Sequence, residues 1–240
     1  MAAIRGSAPD STVMNLLSIE TSADACSISL ITGEDVISRE TEEPRSHARM
    51  LVPLVQELMR EASVQLDGIS VDQGPGSYTG LRIGVSTAKG LAYALDCPLY
   101  AISSLELLAA GIMQEETGLD AWVRAILPAR GSDVYTARFR ISKGRIMERT
   151  APEAQAVDQV DLAATDIVVS TASAALDALS FPSGAAERRT VDLHSSLAAT
   201  LLRNQSQTYR VEDALGFEPM YVRDFVARKP AVPIFDRLPF

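Results

Sequence analysis

Apolar and polar residues form short strand-like runs from Leu16 onward. LLSIET, CSISLI and VISRET are rich in β-formers and are separated by the turn-like pieces SADA and TGED, which predicts an antiparallel meander. The residues before Met14 are small, polar and without period, which predicts a loose tail over 1–13. The period then changes. In RSHARMLVPLVQELMREA, Leu51, Leu54, Val55, Leu58 and Ala62 fall at i, i+3, i+4, i+7 and i+11, the stripe of a helix, and Met50, Val52 and Met59 widen it. Pro53 has no amide hydrogen, so it either sits in the first turn or bends the helix, and the start is placed between Ser46 and Val52.

GISVDQ reads as a further strand, and GPGSYTGLRIG runs from it into a second helix ending near Leu95. On that helix Gly80, Gly84, Ala88 and Ala92 recur every four residues, a row small enough for another backbone to approach closely. A strand over 98–102 and a helix over 103–114 complete a β-β-β-α-β-α-β-α unit, and the polar EETGLD marks a boundary between domains at 14–118 and 119–240. After it AWVRAIL, DVYTARFR and GRIMERT read as three strands with turns at 129–132 and 142–144. IVVS is a buried strand and SSLAATLLRNQ a helix. The second half thus repeats the first more weakly. The expected fold is α/β: two related domains with mixed sheets and outer helices.

Composition narrows the class. The 240 residues carry 22 basic and 31 acidic side chains, net −9, with 47% hydrophobic residues, two histidines and two cysteines. No uncharged run approaches the roughly 20 apolar residues of a membrane span, and the first residues lack the apolar core of a signal peptide. Cys26 and Cys97 are read as buried thiols of a cytosolic protein. The acidity is uneven: residues 1–120 hold seven basic and seventeen acidic side chains, so that half repels a polynucleotide. Residues 124–149 hold seven Lys or Arg against Asp133 and Glu148, read as solvated strand faces and as the one place a polyanion would choose.

The most informative stretch is GPGSYTGLRIG. A strand-to-helix turn exposes amides that suit an anion. Gly80 is followed by Leu81 and Arg82 instead of the Lys-Ser/Thr of a Walker loop, and Gly74, Gly76 and Gly80 are spaced one residue too widely for a dinucleotide fingerprint. Two readings stay open: an anion seat, or a tight turn in which glycines allow positive φ and Pro75 stiffens the chain. Ser77, Tyr78 and Thr79 have no base nearby in sequence. His47 reads as an exposed polar residue, and His194 as part of a helix entry capped by Asp192 or Ser195. No metal site is assigned.

LLSIETSADACSISL, SHARMLVPLVQELM, GPGSYTGLRIGVSTAKGLAYALDCPLYAISSLELLA, ARGSDVYTARF and EPMYVRD resemble the TsaB family, over residues 14–224. These are non-catalytic partner subunits of the bacterial machinery that makes threonylcarbamoyladenosine in tRNA. The resemblance implies an actin-like, Hsp70-like ATPase-type fold of two repeated domains and a cytoplasmic protein with no membrane association. It implies pairing with a catalytic TsaD-type subunit, docking of a small P-loop ATPase of TsaE type, a homodimer when alone, and tRNA met through the complex. Its characteristic loop falls on Gly74, Gly76, Ser77, Tyr78, Thr79, Gly80 and Arg82.

Several positions depart from catalytic relatives. Ser104 and Leu108 stand where a metal-binding histidine pair is expected, Glu20-Thr21-Ser22 replaces an Asp followed by Gly, and Pro128 precedes Ala129-Arg130 where most members of the family place Asp. The second half holds only the isolated glycines Gly131, Gly144, Gly184 and Gly216, not a Gly-rich adenosine turn. The expectation is a scaffold with no catalytic or metal-binding residue and no cofactor of its own, ATP and metal acting on its partners. Its pairing surface is placed on Leu51, Val55, Leu58, Met59, Ala88, Leu91 and Leu95. The alternative is a stand-alone glycoprotease-like peptidase or ATPase of the same fold.

Overall fold

Alternating side chains set the first sheet. β1 (Asn15–Glu20), β2 (Ser27–Thr32) and β3 (Asp35–Glu40) pair antiparallel as the meander. β4 (Gly68–Gly74) joins the free edge of β1 in parallel, and β5 (Leu99–Ser103) follows, giving the order β3-β2-β1-β4-β5. This is the computed structural model of the chain, and it describes residues 14–41, 43, 46–171, 177 and 187–222. The tail expected over 1–13, Gly184 and the end of the EPMYVRD match lie outside the described residues.

Two helices cover one face of this sheet, α1 (His47–Ala62) and α2 (Tyr78–Leu95). Leu17, Ile19, Ile28 and Leu30 meet Leu51 and Leu58 of α1 and Val85 and Ala88 of α2 in one apolar cluster. Pro53 falls in the second turn of α1, on its exposed side, past the first turn where its missing amide would cost nothing. On the other face lies α3 (Ser104–Glu115), which starts in a capping box: Ser103 Oγ accepts the Glu106 amide, and the Glu106 carboxylate accepts the Ser103 amide.

The second half has the same winding. β6 (Ala121–Pro128), β7 (Asp133–Ser142) and β8 (Arg145–Arg149) form an antiparallel meander. β10 (Asp166–Ser170) and β11 (Glu187–Thr190) extend the sheet in parallel beyond β6. Its order, β8-β7-β6-β10-β11, is that of β3-β2-β1-β4-β5. The four-residue β9 (Glu153–Ala156), paired with β7, and β11 are absent from the sequence reading because neither has an apolar period. A 3-10 turn at Ser195–Leu197 leads into α4 (Ala198–Tyr209).

α3 is buried on almost every side because both sheets use it. The largest cluster joins Leu16 and Ile102 of the first sheet, Leu105, Leu108 and Ile112 of α3, Val123 and Phe139 of the second sheet, and Leu201 of α4. Two mixed sheets flanked by helices are therefore the architecture, as the sequence pattern leads one to expect. After α4 the chain returns to the first half as a strap. Arg210 bridges Tyr100, the Val211 amide donates to the Leu99 carbonyl at 2.9 Å, and Phe217 packs beside the first cluster. Lys89 Nζ donates to the Phe217 carbonyl at 2.8 Å, and the Met220 amide to the Gln73 carbonyl at 2.7 Å. No described helix is long and apolar enough to cross a membrane.

Candidate functional site

The strand ends of the first sheet meet the glycine loop at a buried acid pair. Glu20 turns back on its own backbone: Oε1 accepts the Ser22 amide at 2.5 Å, the Ser22 hydroxyl at 2.7 Å and the Ala23 amide at 3.2 Å. Asp72, at the end of β4, accepts the Gly74 amide at 2.7 Å and the Ser104 hydroxyl at 2.8 Å on each oxygen. Burial, with the charge of Asp72 added, pushes Glu20 up to about 8. Burial also pushes Asp72 up, to about 6, against the hydrogen bonds from Gly74, Ser104, Ser22 and Glu20 that favour its charged form. Burial of both groups thus favours a single proton held by the pair over two adjacent charges.

The loop between β4 and α2 closes against the end of β1. A Cβ at Gly80 would stand 1.9 Å from the Thr21 carbonyl oxygen, one at Gly84 2.1 Å from Thr21 Oγ1, and one at Gly76 2.5 Å from Ser22 Cβ. The small row foreseen on α2 thus admits the backbone of Thr21. Four amides of this stretch are used within the chain: Gly74 on Asp72, Ser77 on the Ser22 carbonyl, Gly80 on the Ser77 hydroxyl and Leu81 on the Ser77 carbonyl. Of the two readings, the tight turn is the one these bonds describe, with Gly74 at φ +103. Ser77 is the α2 N-cap. Outside the loop Arg82 donates to the Tyr78 hydroxyl at 2.8 Å, and the Tyr78 and Tyr221 rings lie 5.1 Å apart. Thr79 is exposed.

Beneath the loop an open cleft of about 840 Å³ separates the two halves. Ser22, Pro75, Gly76 and Ser77 line one wall and Leu127, Pro128 and Ala129 the other. Of the charged side chains lining it, Arg130 is basic and Asp24, Glu40 and Asp192 are acidic, a balance that repels a polyphosphate. Ser104 and Leu108, where the resemblance leads one to expect a histidine pair in catalytic relatives, serve the fold: Ser104 donates to Asp72, and Leu108 is fully buried in the shared core.

The pairing surface expected from the sequence needs correction. Leu51, Val55, Leu58 and Ala88 are buried in the chain's own cluster, and Met59 and Leu91 pack half-buried beside it, so six of the seven are not an open surface. The stripe is apolar because it covers the sheet. Leu95 is 50% exposed, and the other large exposed hydrophobic side chains of these helices are Val52 at 48%, Tyr93 at 76% and, beside Tyr221, Tyr78 at 37%. His47 is also corrected: it is buried and its Nε2 donates to the Ala23 carbonyl at 3.0 Å. His194, not Asp192 or Ser195, is the cap, its Nδ1 accepting the Ser196 amide at 3.1 Å. Burial lowers its pKa and nearby Glu40 opposes this. Cys26 is buried but Cys97 only partly so, and both are free thiols.

Two further clusters escaped the sequence reading. Glu106 Oε1 accepts Arg149 Nη1 at 2.6 Å, with Arg149 over the Tyr209 ring, tying α3 to β8 and α4. On the second sheet buried Asp166 Oδ1 accepts Arg138 Nε at 3.1 Å and Nη2 at 2.7 Å, and the Arg138 guanidinium lies 4.2 Å above the Trp122 ring. The available signal was the strict alternation in AWVRAIL and TARFRI, which puts Trp122, Arg124, Arg138 and Arg140 on one face.

Comparison with known proteins matches residues 36–227 to the family described as TsaD, tRNA N6-adenosine threonylcarbamoyltransferase. The threonylcarbamoyladenosine biosynthesis protein TsaB of Bacillus subtilis is 37% identical over 144 residues, 58% of this chain and 61% of that protein. TsaB of Escherichia coli is 31% identical over 144 residues, 59% and 62%. The aligned part therefore spans less than two thirds of either relative. Among solved structures, a Pseudomonas aeruginosa protein with similarity to the peptidase YeaZ superposes with a TM-score of 0.75 at 28% identity, over 88% of this chain and 100% of that one. YeaZ from Pseudomonas aeruginosa gives 0.74 at 26% identity, over 87% and 99%.

Proposed function

The chain belongs to the TsaD family, on its TsaB branch, and from that premise we propose that it is a non-catalytic subunit in the synthesis of threonylcarbamoyladenosine in tRNA. It pairs with a catalytic TsaD-type subunit, on which the threonylcarbamoyl group passes from its adenylate to the exocyclic amine of an adenosine. The observation that carries this reading is the state of the loop: the amides of Gly74, Ser77, Gly80 and Leu81 and the carboxyls of Glu20 and Asp72 are engaged inside the chain. A site built to hold phosphate or metal keeps such groups turned outward.

Pairing uses what α1 and α2 leave open, Val52, Tyr93 and Leu95. A TsaE-type ATPase docks on the pair, the chain self-pairs when alone, and ATP and metal act on the partners. Co-purification with the catalytic subunit, followed by reconstituted tRNA modification with and without this chain, tests the reading. Modification should require the chain, and Tyr93→Asp with Leu95→Asp should abolish co-purification. Stoichiometric metal, or tight ATP binding by the isolated chain in calorimetry, would instead make it an enzyme in its own right.

A further inference from the structure

β6 and β7 present two unlike faces. Val123, Ala125, Phe139 and Ile141 are buried in the core shared with α3 and α4. The opposite face sets Trp122 across from Arg140 and Arg124 across from Arg138. Among the described residues this outer face carries an apolar cluster at one end only, where Ile126, Val134 and Val168 meet Val160 and Leu162. At its other end Arg124, Arg138 and Arg140 keep 17%, 26% and 29% of their side-chain surface exposed. The β7–β8 hairpin tip borders that end, with Lys143 and Arg145 exposed.

Carboxylates meet each of the three arginines, and among the described residues the cations of this end without an ion pair are Lys143 and Arg145 at the hairpin tip. Buried Asp166 serves both Arg138 and, at 4.0 Å, Arg124, and Asp120 pairs with Arg140. Glu148 lies across from Arg140 on β8. Arg124 Nε and Asp166 Oδ2 are buried, and neither has a hydrogen-bond partner. The Arg138 guanidinium layered on Trp122 is a planar cation on a planar ring, to which a base can add as a third layer. From this juxtaposition we infer that the polar end of the second sheet's outer face is a contact surface for single-stranded RNA. An unpaired base stacks on the Trp122–Arg138 pair, and backbone phosphates take donors from Arg140, Lys143 and Arg145, while Arg124 is held inside by the Asp161 carbonyl. The acidic first half repels the same polyanion, which confines and orients the contact. The choice of RNA as occupant rests on the function proposed above.

Trp122 is the single tryptophan of the chain, so its fluorescence reports this surface directly. The purified full chain is titrated at 50 mM salt with a tRNA, with a single-stranded oligoribonucleotide, with duplex RNA and with polyglutamate. Quenching by the first two is expected. The logarithm of affinity should fall against the logarithm of salt with a slope of about −2, the value for three phosphates on a single strand. Arg140→Ala removes donors from the Ile141 carbonyl and from exposed Asp120, which keeps the Ser142 hydroxyl, so its thermal melt should stay close to the parent while the slope shrinks by about 0.7. No quenching by RNA, equal quenching by polyglutamate, preference for duplex, or an unchanged slope in Arg140→Ala each overturns the inference, the second pointing to an acidic protein. Co-purification with the catalytic subunit is scored separately. If it persists while RNA fails to quench, the scaffold reading stands and only the RNA surface falls; if it is lost, the scaffold reading fails whatever the fluorescence does.

Discussion

The two halves wind their strands in the same order and finish the outer faces of their sheets by opposite means. The first buries Leu17, Ile19, Ile28 and Leu30 under α1 and α2. The second places Arg124, Arg138 and Asp166 on the corresponding face, with an apolar patch at one end. Both put their other face into one core around α3. A duplicated sheet therefore needs one shared apolar face to keep its topology, and the remaining face is free to change its chemistry.

The comparison breaks most visibly at Asp166. Asp166→Ala leaves two arginines facing a buried hole and should lower stability by about 3–5 kcal/mol in urea unfolding. Replacing the whole cluster, Arg124→Met with Arg138→Leu and Asp166→Val, should leave stability unchanged or higher, since apolar side chains of similar volume substitute well for buried ion pairs. A triple variant as unstable as the single one would show that the charges hold the fold and that the two faces are not interchangeable.

A smaller effect separates two glycines of α2. Gly80→Ala drives a methyl into the Thr21 carbonyl and should cost about 2–3 kcal/mol. Gly90 is exposed, with nothing within 4 Å of where a methyl would stand, and Gly90→Ala should instead gain about 0.5–1 kcal/mol. Parallel thermal melts of the two variants decide this, and equal shifts would refute the close approach of α2 to β1.

The acid pair gives a graded test. Glu20 and Asp72 hold protons more tightly folded than unfolded, so the native state binds more protons between the ordinary carboxyl range and about 8. Stability should therefore fall as pH rises through that window, by at most about 1.4 kcal/mol per pH unit for each proton. Glu20→Gln should flatten the slope and raise the urea midpoint at pH 9 relative to the parent. A parent midpoint that is constant from pH 5 to pH 9 would contradict a shared proton.

Much of this molecule is legible in its sequence. The meander, the loop-to-helix step and the small row on α2 follow from local period and from glycine spacing, which are properties of neighbouring residues. What is hidden depends on residues far apart. Nothing around Glu20 tells that Asp72 lies beside it, and the helical stripe from Leu51 to Leu58 is the same whether it meets a sheet or a partner. The four residues of β11, Glu-Arg-Arg-Thr, have no apolar period and pair only because β10 offers an edge. The split of the second sheet's outer face lies between these cases: alternation gives its sidedness, but only the fold shows which side α3 takes.

The returning strap has a consequence for synthesis on the ribosome. Val211, Phe217 and Met220 complete the first half, the last by bonding to Gln73, almost 150 residues earlier in the chain. A nascent chain can lay down the first sheet early, yet the flank of α2 and the carbonyl of Gln73 wait for residues 211–220 to leave the exit tunnel. The first sheet is thus translated before the segment that finishes its flank, and its fidelity is set by how well the unfinished flank is kept from other chains in the interval.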